Sequence, residues 1–225
     1  IAREFLALEP DGFSEDFPRA AYEDIELSYR LSRHGQRIVY AARAEARHHH
    51  PYDVRSFFRR QVVCGAMAAT FLRKQPHLSK WFPARDLEKA RIRLASETSA
   101  GPSTAENQPG DLVAAESTAL ELAALFDFRP QAILTPLLLG LFRHGVEKGF
   151  AEAWYPAAEA SSLLLLSARE STLGPGLRAF VAQAHHERIA PPVRLVDRLC
   201  DALAMPARWR VDARPPARRA RERVA

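Results

Sequence analysis

Cysteine is scarce. Only Cys64 and Cys200 occur in 225 residues, far apart in the chain. That excludes a disulfide framework and the short spacings of a zinc knuckle, and it predicts buried free thiols in a reducing compartment. Long apolar runs are missing too. The longest, AILTPLLLGLF at 132–142, is too short to span a bilayer and contains Pro136. No secretory leader, internal repeat or Asp-x-Asp motif is visible. Excess charge is modest. The +5 comes from Arg more than Lys, which suits phosphate but is too little to mark a nucleic-acid binder. What remains is a globular composition, 47% hydrophobic, long enough for one or two domains.

Along the chain, Pro10, Asp11 and Gly12 mark a turn. The spacing predicts a helix over 24–34, with Asp24, Leu27 and Leu31 on one face and Gly35 as its left-handed stop. RIVYAA (37–42) reads as a short buried strand, and RAEARHHHPYD after it as a loop. A longer helix is predicted from Val54 to Lys74, capped by Asp53 and ended by Pro76, with Phe58, Val62, Gly65, Ala69 and Leu72 as its stripe. Residues 96–111 are rich in Ser, Thr, Gly and Pro and read as a linker. Residues 112–205 read as helical, and 206–225 as a solvated Pro/Arg-rich tail. The expected fold class is α/β over 1–95, followed by a mainly α-helical region. One strand is little sheet, so residues 1–95 read as a piece of a larger domain. A chain opening on Ile1 fits that expectation.

Chemistry concentrates in AAYEDIELSYRLSRHG (20–35), where Glu23 and Asp24 open a helix. Free N–H groups and the helix dipole favour a carboxylate there by ~0.3–1 kcal/mol. Capping alone accounts for such acids, but an ionised carboxylate at a fixed position is also what a general base requires. His48, His49 and His50 follow after one helix and the expected strand. Imidazole with carboxylate suits a divalent metal, although adjacent side chains diverge and at most two of the three could bind. Arg55, Arg59 and Arg60 follow on a helix, in a position to bind phosphate or simply to face solvent.

Taken in order, DGFSEDF (11–17), YEDIELSYRLSRHGQRIVY (22–40), ARAEARHHH (42–50) and SFFRRQVVCG (56–65) resemble the second half of the catalytic domain of family 2 glycosyltransferases, which have the GT-A fold. The resemblance covers about residues 1–75. It implies inverting transfer of a sugar from a nucleotide-diphosphate sugar to a hydroxyl of a sugar, polymer or lipid acceptor. It gives Asp24 the role of catalytic base. Glu23, Glu15 and Phe13 would contact acceptor or sugar, Arg59 and Arg60 the diphosphate, and His48 or His49 a divalent ion, manganese or magnesium. Ser14 stands where the family has an aspartate.

The family's nucleotide-binding strands and Asp-x-Asp motif have no counterpart here. The chain is therefore expected to be a fragment, inactive by itself, cytoplasmic or at a membrane surface, with no nucleic-acid partner. The alternative is a non-catalytic helical interaction or membrane-surface protein with a basic face, KARIR (89–93) near Trp81 and Phe82. The pair His185–His186 and the isolated His34, His77 and His144 read as surface polar residues, with His144 near a helix end.

Overall fold

The computed structural model describes residues 3–47, 49, 51, 53–81, 84–99, 110–125, 133–189 and 191–205. Every regular element among them is helical: α1 (Arg3–Ala7), α2 (Glu23–Arg33), α3 (Val54–Lys74), a 3-10 turn (Pro76–Trp81), α4 (Ala84–Ser99), α5 (Leu112–Ala124), α6 (Thr135–Trp154), α7 (Ala157–Glu170), α8 (Leu173–His186) and α9 (Val193–Ala202). The α/β expectation is overturned. Residues 37–42, expected as a buried strand, are irregular, and Ile38, Val39 and Tyr40 remain 75%, 79% and 91% exposed. A strand needs a neighbour to satisfy its backbone groups, and no strand exists among the described residues. A run of β-branched and aromatic side chains cannot build a sheet alone.

Local chemistry fixes the helix ends. At the start of α3, Asp53 Oδ1 accepts the Ser56 N–H at 2.6 Å, while the Asp53 N–H donates to Ser56 Oγ at 2.9 Å. This reciprocal capping box satisfies two otherwise free donors. The Ser56 N–H and the Ser56 hydroxyl, which donates to Oδ1 at 2.7 Å, together hold the Asp53 carboxyl below its ordinary range. Helix α2 begins after Tyr22, whose backbone is left-handed (φ 67°). It ends in a Schellman turn. Gly35 takes φ 90°, its N–H reaches the Ser32 carbonyl, and the Gln36 N–H reaches the Leu31 carbonyl.

The chain falls into two compact units, Ile1–Ser99 with Phe142–Leu164, and Ala100–Leu141 with Leu165–Ala225. In the first, α3 meets the second half of α6 at backbone distance. A Cβ on Gly65 would overlap the Val146 carbonyl oxygen, and one on Gly149 the Val62 carbonyl oxygen. Only glycine permits that approach. Arg73 ties the helix ends by donating to the Ala153 carbonyl, with its guanidinium 5.4 Å from the centre of the Trp154 ring. His144 corrects the surface expectation. It lies within α6, fully buried, with its ring stacked on Phe58. Buried side chains of this unit include Leu27, Leu31, Phe58, Phe71, Leu72, Leu87 and Phe150. Each fully buried leucine or phenylalanine contributes roughly 1.5–3 kcal/mol over exposure.

In the second unit α5 packs on α9. Asp111 caps α5 by accepting the Ala114 N–H, and its own N–H donates to the Ala202 carbonyl at 2.8 Å. Leu195, Val196, Leu199 and Cys200 form the buried face of α9. Among the described residues, no helix is long and apolar enough to cross a membrane.

Candidate functional site

The start of α2 is placed by the chain before it. Phe17 and Ala21 are buried with Met67 and Phe71 of α3, and Tyr22 packs its ring 5.9 Å from that of Phe71. Arg60 donates to the Ala20 carbonyl, and Lys74 binds both Ser14 and Asp16. The Lys74 ammonium holds the Asp16 carboxyl below its usual range. So the 13–22 loop lies against α3, and α2 begins from a fixed point.

A second set of contacts fixes the turn before that loop. Glu26 is 1% exposed, and Arg30 Nε donates to both of its carboxylate oxygens at 3.0 Å. The same guanidinium binds Glu9 and the Gly12 carbonyl. His34 Nε2 meets the other Glu9 oxygen at 2.9 Å. Hydrogen bonds from Arg30 and then His34 hold the Glu9 carboxyl below its ordinary value. Glu26, in the first turn of α2, is the buried anchor of this network.

Neighbouring residues on a helix project about 100° apart. Glu23 and Asp24 therefore diverge. Asp24 is exposed, and its Oδ1 accepts the Ile25 N–H at 2.8 Å. It lines an open groove of about 320 Å³ with Ile25, Ser28, Tyr29, Ser32 and Ile38. Tyr29 is steadied by a 2.6 Å hydrogen bond between its hydroxyl and His77 Nε2. Glu23 does not line this groove. It is half-buried, its Oε2 has no hydrogen-bond partner, and its charge reaches Cys64. Burial pushes the Cys64 thiol up, and Glu23 adds to that against the opposing Arg60. Such a thiol is a poor nucleophile.

The remaining expected site residues are dispersed. Phe13 is 59% exposed, and Glu15 is exposed on the same turn. Arg59 is exposed beside Asp53, whereas Arg60 is engaged with the Ala20 carbonyl. His49 is exposed in irregular chain, and His48 and His50 lie outside the described residues. Among the described residues, no three His, Cys, Asp or Glu side chains converge as metal ligands. The described donors do not by themselves compose a metal centre.

Sequence reasoning missed Arg30, Ser28, Tyr29 and Ile38. The Glu26–Arg30 spacing of four was a usable signal. The link to Glu9, 21 residues away, was not. No family model, curated protein or solved structure matches the chain.

Proposed function

We propose that residues 1–75 carry the acceptor-activating part of an inverting glycosyltransferase, with Asp24 as the general base. The observation that supports this is the placement of Asp24. Its carboxylate is exposed at the first turn of a buttressed helix and lines a groove with two serine hydroxyls and an aromatic wall. An acceptor hydroxyl seated there gives its proton to Asp24 as its oxygen attacks the anomeric carbon of a nucleotide-diphosphate sugar. The bond from that carbon to the diphosphate oxygen breaks, and the electron pair leaves with the diphosphate. Configuration inverts because attack and departure occur on opposite faces. Placement matters because small errors in the attacking geometry cost large factors in rate. Arg30 and the 13–22 loop supply that rigidity. Arg59, exposed on α3, offers a guanidinium to a diphosphate.

The test is sugar transfer by the intact gene product across a panel of nucleotide sugars. Removing a general base typically costs a factor of about 10²–10⁴ in kcat. Asp24→Asn should show a loss of that size with little change in thermal midpoint, because Asp24 is exposed. Unchanged rates in the variant would remove Asp24 as the base.

A further inference from the structure

We propose that residues 33–47 form a contact surface for an anionic lipid bilayer. The inference does not rest on the transfer reading, although Ile38 also lines the groove beside Asp24. It starts from an anomaly. Single exposed apolar side chains are ordinary, but Ile38, Val39 and Tyr40 are consecutive and almost wholly exposed. The chain leaves α2 through Gly35 and turns back at Ala41–Ala44, where the Ala44 N–H meets the Ala41 carbonyl at 2.9 Å. The apolar triplet therefore sits immediately before a surface turn.

Cations surround the triplet. Arg33, Arg37, Arg43 and Arg47 are all exposed, and none of their guanidinium groups makes a hydrogen bond or ion pair among the described residues. Glu45 is the only acid in the stretch. The contrast with α4 is informative, because that helix carries the basic run first suggested for membrane contact. There Lys89 pairs with Asp86 at 2.7 Å, and Arg91 pairs with Glu88 at 3.1 Å. Those charges are already answered. The four around the triplet are not.

An anionic bilayer surface answers both features at once. Its headgroups meet the guanidinium groups, while Ile, Val and the amphipathic Tyr ring reach the boundary of the acyl region. The backbone of residues 37–40 makes no hydrogen bond among the described residues. Unsatisfied N–H and C=O groups cannot enter dry hydrocarbon, so contact stops at the hydrated interface. A nucleic-acid duplex would use the arginines but leave Ile38 and Val39 in water. A protein partner would need four acids matched to the arginines around an apolar centre.

Vesicle co-sedimentation tests this on the full chain, with neutral phosphatidylcholine vesicles and with vesicles containing roughly 30 mol % phosphatidylserine. Two variants are compared with wild type. One is Ile38→Asn/Val39→Asn/Tyr40→Asn, which keeps every charge. The other is Arg37→Gln/Arg43→Gln/Arg47→Gln, which keeps the triplet. All six side chains are exposed, so both variants should retain the wild-type circular dichroism spectrum. Wild type should sediment with the anionic vesicles and not the neutral ones. Affinity should fall about fivefold for each arginine removed at low ionic strength. The apolar variant should also bind more weakly, and its residual binding should disappear in about 0.5 M salt. Equal binding by wild type and both variants would place the contact elsewhere and overturn the proposal. So would wild type that ignores anionic vesicles, or an apolar variant altered only in oligomeric state.

Discussion

Arg30 carries more structure than any other single side chain near the candidate site. It pairs with Glu26, which is almost wholly buried, and with Glu9, and it holds the Gly12 carbonyl. Removing one partner of a buried pair leaves an uncompensated charge, which costs more than the pair itself contributes. Arg30→Ala should therefore lower stability by about 3–5 kcal/mol in chemical denaturation at neutral pH. Adding Glu26→Gln should restore part of that loss, because the stranded charge is then gone. No restoration would mean that Arg30 acts mainly through Glu9 and Gly12. Glu9 gives the network a pH signature. Its folded pKa lies below its unfolded one because Arg30 and His34 bind the carboxylate. The resulting stability is complete above the unfolded value and is lost as pH falls through the folded one. Stability measured from neutral toward acid pH should decline less steeply in Glu9→Gln than in wild type. Identical slopes would remove Glu9 as a contributor.

At the scale of elements, the crossing of α3 and α6 is the most demanding contact. Gly65 faces Val146 and Phe150, and Gly149 faces Val62 and Ala66, in each case against backbone. A methyl group at either position must push the helices apart, and overpacking of this kind costs about 1–3 kcal/mol. Alanine normally favours a helix over glycine by roughly 1 kcal/mol. Gly65→Ala and Gly149→Ala should therefore both lower the melting temperature, despite the gain in helix propensity. A rise in either would show that the helices can separate at little cost. The same contact marks how far the sequence could be read. The ends of α3 were legible because Asp53 and Pro76 act on their own neighbours. Gly35 ended α2 for the same reason. The reciprocal glycines were not legible, since they are 84 residues apart and only the folded crossing pairs them. Residues 37–42 failed as a strand because sheet formation needs a distant partner, whatever the local composition. Asp24 was identifiable from its place at a helix start. The groove it lines was not, because Ile38 joins the wall only after the Gly35 turn reverses the chain.

At the scale of the whole molecule, charge is distributed unevenly. Residues 206–225 hold seven arginines against Asp212 and Glu222, a net +5 that equals the charge of the entire chain, so residues 1–205 sum to zero. A chain ending after Met205 should lose its retention on a cation exchanger at neutral pH, whereas the full chain is retained. Net charge governs that long-range attraction. Short-range contact depends on local charge instead, because screening confines exposed charges to about 8–10 Å at moderate salt. Arg33, Arg37, Arg43 and Arg47 against Glu45 leave +3 within one short stretch, whatever the total. If that stretch meets anionic lipid, the shortened chain should still distinguish anionic from neutral vesicles, though with a slower approach. The arginine-to-glutamine triple variant of the shortened chain should lose the distinction. Loss of all vesicle binding on removing residues 206–225 alone would assign the lipid contact to those arginines and leave the Ile38–Val39–Tyr40 exposure without a bilayer to explain it.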